Sequence, residues 1–263
     1  MKLFVRLLFF IGVLLLAINA VGLFKSLRNP DLASEKTPYK NDLTISYAEA
    51  KKNWDRKPDE SEKDYALRTT MLVNHAMAHY WKDEGIRKYN IRVPIWENYI
   101  LYFASMVKPE KYRKYEFRDF KKAIERGVGI CSQPSIALKG LLNANGIKAD
   151  LWDIAGHVVV CTTFDDGTGW ILDPDYGKYV PHNIKAIEAN PELVRESYKD
   201  QNNIYASHVT KHRGTDDIVN IYEKEGNHIY YMNSSFENFS YISIWIIPFL
   251  FMLPYLLILY KRK

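Results

Sequence analysis

The sequence predicts an α+β domain held between two membrane-spanning helices. Three observations lead there. Both ends carry long apolar runs free of charge. The stretch from about Asp59 to Asn145 repeats apolar residues at helical spacing, and short strand-like segments follow between Ala149 and Asp173. Helices first and a compact antiparallel sheet afterwards is the α+β order. Of 263 residues, 47% are hydrophobic and 14% aromatic, which excludes a disordered or low-complexity chain and suffices for one sizeable core. Two cysteines exclude a disulfide framework.

The first element is Leu7 to Phe24, 18 residues without a charge, preceded by Lys2 and Arg6. As a helix it measures about 27 Å, close to the hydrocarbon thickness of a bilayer. A cleavable signal peptide is the alternative, with Ala20-Val21-Gly22 as its small-x-small site. The apolar run exceeds a typical signal core and favours an anchor over residues 1–28. Asn29-Pro30 to about Lys40 reads as a tether. Ser46-Tyr47-Ala48-Glu49 and Ser61 to Asp64 look like helix starts. The run from Asp59 to Glu84, with Tyr65, Met71, Leu72, Ala76 and Tyr80, predicts one helix closed by Gly85. Pro94 opens another, rich in aromatics (Trp96, Tyr99, Tyr102, Phe103), so residues 29–116 form a helical region.

A core with a C-terminal extension is expected over residues 117–237. Phe117 to Arg126 is helical and stopped by Gly127. Gly127-Val128-Gly129-Ile130-Cys131 leads into a buried helix from about Ser132 to Asn145, with Pro134 tolerated in its first turn and Gly146 at its C-terminal cap. Strands follow at Ala149 to Ile154, His157 to Phe164 and Trp170 to Asp173, the last two joined through Asp165-Asp166-Gly167-Thr168-Gly169. Asn183 to Asp200 is helical with a break near Pro191, and a final strand runs through His228 to Met232. The last element, residues 238–263, holds Asn238 to Tyr260, where tyrosine is the sole ionisable type, then Lys261-Arg262-Lys263. A core helix of a soluble protein rarely runs that long. Tyr241, Trp245, Tyr255 and Tyr260 suit interfacial anchoring, and Pro248 and Pro254 bend such a span without preventing it.

The basic flanks set an orientation with both termini in the cytoplasm and residues from about 30 to 237 outside an inner or plasma membrane. Seven basic residues lie in the first 30 and last three positions and exceed the net charge of +5, so residues 31–260 carry −2. That distribution excludes a phosphate-backbone binder, so no nucleic acid is expected. The expected partners are the lipid bilayer, a peptide or protein substrate outside the cytoplasm, and components of an envelope complex.

Cys131 sits where a nucleophile is activated. The start of a buried helix offers unpaired N–H groups and the positive end of the dipole, both of which favour a thiolate. An inert buried thiol is the alternative. His157 opens the strand His157-Val158-Val159-Val160-Cys161, whose alternation puts His157, Val159 and Cys161 on one face. The next strand supplies a carboxylate to orient the imidazole. With a five-residue loop between Phe164 and Trp170, antiparallel pairing sets Asp173 opposite Cys161 and Asp175 opposite Val159, so both acids are candidates. Glycines flanking Cys131 let the backbone approach a substrate.

Gly129-Ile130-Cys131 before a helix, Gly146-Ile147-Lys148-Ala149 after it, Gly156-His157 opening a strand, and Gly169-Trp170-Ile171-Leu172-Asp173-Pro174 together resemble the core of the transglutaminase-like superfamily, a branch of the papain-like thiol enzymes, in its bacterial-type form. The resemblance covers residues 117–180. It implies a helix-borne cysteine packed on a small antiparallel sheet, with Cys131 as nucleophile, His157 as general base and acid, and Asp173 as orienting carboxylate. It implies a peptidase, amidase or acyl transferase acting through a thioester, since hydrolysis and acyl transfer share these residues. A non-catalytic binding or assembly module on the same fold is the alternative. A papain-type glutamine lies upstream of the cysteine, where this chain has Glu125 and Arg126; Gln133 is the glutamine nearest Cys131.

No cofactor or metal is expected. His75 and His79 stand i, i+4, but His75-Ala76-Met77-Ala78-His79 lacks the glutamate of a zincin and reads as surface or core histidines of a helix. His208 and His212 read likewise. Cys161 is a packed strand thiol. Asn233-Ser234-Ser235 and Asn238-Phe239-Ser240 are glycosylation sequons where a host has that machinery.

Overall fold

The computed structural model describes residues 2–35, 37, 41–154, 157–199, 227–228 and 234–261. In chain order its helices are α1 (Lys2–Gly22), α2 (Tyr47–Asn53), α3 (Glu62–Ala76), α4 (Gly85–Lys88), α5 (Tyr99–Val107), α6 (Pro109–Tyr112), α7 (Phe120–Arg126), α8 (Ser132–Ala144), α9 (Ile184–Ala189), α10 (Arg195–Tyr198) and α11 (Ser234–Tyr260). The strands are β1 (Ala78–His79), β2 (Val128–Gly129), β3 (Lys148–Ile154), β4 (His157–Thr163), β5 (Gly169–Asp173), β6 (Lys178–Val180) and β7 (Asn227–His228). The chain divides into two compact units: Met1–Asn29, Asp83–Tyr115 and Met232–Lys263 form one, Pro30–Lys82 and Glu116–Tyr231 the other. The stretch 29–116 carries helices α2 to α6 and the two-residue β1, and is shared between the two units. Its first half is tied to the strand before Cys131 by a parallel ladder, and its second half, with the uncharged helix α5, belongs with the apolar terminal helices.

In the first unit α1 and α11 pair closely. A Cβ at Gly12 would lie 2.6 Å from the Pro248 carbonyl, so only glycine admits this approach. Pro248 brings no N–H to the helix, which strips the Ile244 carbonyl of its usual donor. Asn19 Nδ2 fills that place at 2.7 Å and the Tyr99 hydroxyl at 3.1 Å. Leu3–Gly22 and Ser235–Tyr260 are each long and apolar enough to cross a membrane, and only 17% of each most apolar window is buried. A core helix hides its apolar side chains; these expose Phe10, Leu14, Ile246, Phe249 and Leu253, which fits a membrane protein. Pro94 forms a turn and does not open the next helix. Asn98 does so, its Oδ1 accepting from the N–H groups of Ile100 and Leu101, both at 3.1 Å.

In the second unit the serine caps stand where the sequence places them: Ser46 accepts from Glu49 N–H and Ser61 from Asp64 N–H, both at 3.1 Å. The helix begun at Ser61 ends at Ala76, not at Gly85. Met77 is extended and the chain enters β1, because Ala78 N–H and Tyr80 N–H find the carbonyls of Gly127 and Gly129, each at 2.8 Å. Gly127, at φ +70°, ends α7 as expected, and Gly146 follows α8 at φ +83°. Helix α8 is buried along Ile136, Ala137, Leu138, Leu141 and Leu142. It packs on α3, α7, β3 and β4. The sheet runs β6-β5-β4-β3-β7, every pair antiparallel; β6 extends the expected three strands, and of the expected terminal strand His228–Met232 only His228 falls within the described residues. Ile154, Val159, Ile171, Tyr176, Val180, Ile187, Val194 and Tyr198 form a core cluster closed by α9 and the Pro191–Tyr198 stretch. That packing carries Tyr198 to the site.

Candidate functional site

Cys131 occupies the cap position immediately before α8 and is half-buried. Three side chains fix that first turn. Gln133 is wholly buried; its Nε2 donates to Phe117 O at 2.9 Å, and its Oε1 accepts from Phe117 N–H at 2.8 Å and from Arg126 Nη2 at 2.6 Å. The amide of Gln133 is thus a brace for α8, and not a papain-type oxyanion donor. Ser132 Oγ donates to Glu116. Ser135 Oγ donates to the Val158 carbonyl at 2.8 Å, tying the helix to the strand one residue beyond His157. The space above Gly129 is also filled from within: a Cβ there would meet Gln133 Cβ at 2.3 Å, so this glycine serves the close approach of α8 and not of a substrate.

His157 opens β4 and is 3% exposed; Gly156 before it lies outside the described residues. Across the β4–β5 hairpin the register pairs Thr163 with Gly169, Cys161 with Ile171 and Val160 with Leu172. This differs from the pairing drawn from the loop length. Phe164 does not face Trp170; its N–H bonds the Thr168 carbonyl at 2.9 Å inside the turn, and Gly167 N–H bonds the Phe164 carbonyl at 2.9 Å. The shift keeps the parity of the strand, so Asp173 stays on the face of His157 while moving two residues towards it.

His157 Nε2 lies 2.7 Å from Asp173 Oδ2. The Cys131 thiol also lies near enough to the ring to favour its protonated form. With Nε2 committed to Asp173, Nδ1 is the nitrogen left for sulfur. Asp173 is fully buried and gathers three donors: His157, the Tyr198 hydroxyl on the same Oδ2 at 2.6 Å, and Tyr176 N–H on Oδ1 at 3.2 Å. The Tyr176 ring stands 5.0 Å from the imidazole, centroid to centroid. Burial works against the charged imidazole, but the charge and hydrogen bond of Asp173, with the nearby Cys131, outweigh it and hold the His157 pKa well above its ordinary value.

Asp175 does not join His157. Its Oδ1 lies 2.8 Å from His79 Nδ1, while Oδ2 is buried with no hydrogen-bond partner. Asn74 Nδ2 holds the turn from the other side, donating to the carbonyls of Pro174 at 3.0 Å and Asp175 at 3.1 Å. Asp42 Oδ2 accepts from His79 N–H at 3.1 Å. Burial opposes a charge on His79, yet Asp175 and Asp42 together raise its pKa, and His157 repels it. Burial pushes the Asp42 pKa up to about 7. His79 is thus a strand residue beside the site and not the helix histidine its spacing from His75 suggests. Tyr198, His79 and Asp42 carried no local signal: each reaches the site through contacts 25 to 133 residues away in sequence.

Cys161 is a free thiol, as is Cys131, and burial raises its pKa. His208 and His212 lie outside the described residues. Among the described residues no group of three or more His, Cys, Asp or Glu is placed to hold a metal ion. No family model matches this chain, and neither a curated protein nor a solved structure proves similar to it.

Proposed function

We propose that this chain is a membrane-anchored thiol enzyme of transglutaminase-like type that cleaves or transfers an amide acyl group through a thioester on Cys131. The observation that carries the reading is the pair His157 and Asp173, an imidazole held 2.7 Å from a buried carboxylate, with the half-buried Cys131 thiol near enough to favour the charged ring. The order of a helix-borne cysteine, a histidine opening a strand and an aspartate closing the next supports the same reading. In the reaction the sulfur of Cys131 attacks the amide carbonyl carbon and forms the S–C bond. The C–N bond breaks as the His157 imidazolium gives its proton to the leaving amine. Water or a second amine then attacks the thioester carbon, His157 takes a proton from it, and the Cys131 thiolate is released. Asp173 keeps the ring oriented and its positive charge neutralised.

The membrane reading places α1 and α11 as spans, both termini in the cytoplasm and the catalytic unit outside, where a cell-envelope peptide or protein is the substrate. Basic Lys2 and Arg6 at one end and Lys261-Arg262-Lys263 at the other support that orientation. The Gly12 approach and the Asn19 bond to α11 favour an uncleaved α1.

Labelling the full chain with a thiol-reactive probe across pH tests the chemistry. Cys131 is expected to alkylate well below the pH at which Cys161 does, and His157→Ala is expected to abolish that reactivity. Equal, slow labelling of wild type and variant would return the fold to a binding or assembly module. A reporter fused after Lys263 tests the topology; an extracytoplasmic signal there overturns the two-span orientation.

A further inference from the structure

We infer that helix α5, through Phe103, Met106 and Val107, lies in the interfacial layer of the bilayer that α1 and α11 cross, as a third lipid contact of this chain. The inference rests on the membrane reading of those two helices. Helix α5 is nine residues, Tyr-Ile-Leu-Tyr-Phe-Ala-Ser-Met-Val, without one charge. A helix on the surface of a water-soluble unit turns a polar face outwards. Here the outward face is the apolar one: Phe103 is 50% exposed, Met106 54% and Val107 79%, spaced three and four apart on one stripe. At about 13 Å it is too short to cross a bilayer and long enough to lie along its surface.

Its tethers fix its depth. Counting back about 20 residues from the basic tail, the length a bilayer core needs, puts the outer end of the α11 span near Tyr241. The start of α5 is docked at that level: Asn98 Nδ2 donates to Ser240 Oγ at 2.9 Å, and the Tyr99 hydroxyl reaches the Ile244 carbonyl at 3.1 Å. The Tyr241 hydroxyl bonds Glu97 at 2.7 Å. Trp96 meets the end of α1, where a Cβ on Gly22 would lie 2.1 Å from its carbonyl oxygen. The chain after α5 is pinned about one turn further out: Tyr112 packs on Phe236 with ring centroids 5.5 Å apart, and the Tyr115 hydroxyl donates to Glu237 at 2.7 Å. The apolar stripe thus continues the exposed apolar surface of the helix pair at its outer end. Trp96, Tyr99 and Tyr241 gather at that level, as aromatic side chains do at a membrane interface. Lys108 and Lys111, exposed immediately after Val107, have the reach and sign to meet headgroup phosphates.

The test uses the full chain in nanodiscs of phosphatidylcholine and phosphatidylglycerol, with Cys131→Ser and Cys161→Ser as background. Nitroxides are placed singly at Phe103→Cys, Val107→Cys, Val13→Cys (within α1) and Lys121→Cys (exposed on the other unit). Relaxation by oxygen, which concentrates in lipid, is compared with relaxation by a water-soluble nickel chelate. Oxygen is expected to dominate at Phe103 and Val107 as at Val13, with the order reversed at Lys121. Nickel dominating at Phe103 and Val107 while oxygen dominates at Val13 overturns the inference and leaves the spans standing. Nickel dominating at Val13 as well removes the membrane reading and the inference with it. Nitroxide–nitroxide broadening at Phe103 assigns the stripe to a second copy of the chain and overturns the lipid contact.

Discussion

The Tyr198 hydroxyl donates at 2.6 Å to Asp173 Oδ2, the same oxygen that His157 Nε2 reaches at 2.7 Å. The tyrosine belongs to the core cluster, is fully buried, and meets the site at Asp173. It is a positioning residue: it limits how Asp173 can turn, and so how the imidazole can. A hydrogen bond to a charged group is worth about 1.5–3 kcal/mol. Tyr198→Phe keeps the ring and removes that bond. Cys131 alkylation in the variant is expected to fall about tenfold at pH 6, the lower end of that range, and much less at pH 9, where a thiolate forms without help from an imidazolium. Equal losses at both pH values would reduce Tyr198 to a packing role.

Gly129 illustrates a tighter constraint on the same helix tip. Alanine there would set its Cβ 2.3 Å from Gln133 Cβ and 2.7 Å from Cγ, and the first of these is anchored to the backbone of α8. Gln133 cannot yield without breaking its bonds to Phe117 and Arg126. Gly129→Ala is expected to cost about 1–3 kcal/mol, the range for overpacking. A thermal melt reads it as a midpoint lowered by about 3 °C or more. An unchanged midpoint would mean the turn before Cys131 is far more pliant than its hydrogen bonds imply.

Much of this was legible from local chemistry. Ser46 and Ser61 announce their helices by capping, Gly127 and Gly146 end theirs, and the alternation of His157-Val158-Val159-Val160-Cys161 survives intact in β4. What was not legible depended on partners distant in sequence. The helix of Ser61 stops at Ala76 because a ladder with Val128–Gly129, 50 residues on, competes for the next backbone groups. The choice between Asp173 and Asp175 turned on where β5 ends: the strand stops at Asp173 and the chain turns over residues 174–177, which composition does not reveal. Past that strand end the two acids part, Asp173 to His157 and Asp175 to His79.

The Ile244 carbonyl gives a test of the paired apolar helices. Pro248 deprives it of its helical donor, and Asn19 and Tyr99 replace that donor at 2.7 and 3.1 Å. Asn19→Leu is expected to weaken the pairing of α1 with α11 by about 0.6–2 kcal/mol, the usual worth of such bonds between apolar helices. Adding Pro248→Leu restores an N–H within α11 and is expected to recover most of the loss. Protease resistance of the detergent-solubilised chain reports both steps. A double variant as weak as Asn19→Leu alone would show that Asn19 acts by packing and not by serving the carbonyl.

Asp42 makes a pH-dependent prediction. Its folded pKa, pushed up to about 7 chiefly by burial, lies above the ordinary value of 3.8. The folded chain therefore holds that proton more tightly than the unfolded chain. The associated stability is fully present below about pH 4 and is lost as the pH rises through 7. Asn at this position still offers an oxygen to His79 N–H, and His79 keeps Asp175 at 2.8 Å. Asp42→Asn is thus expected to gain on the wild type as the pH climbs. Because Asp42 is only half-buried, solvent screens the effect to about 1 kcal/mol, or about 3 °C in melting temperature at pH 8 and little at pH 5. A gain of the same size at both pH values would mean that the Asp42 proton does not govern the change.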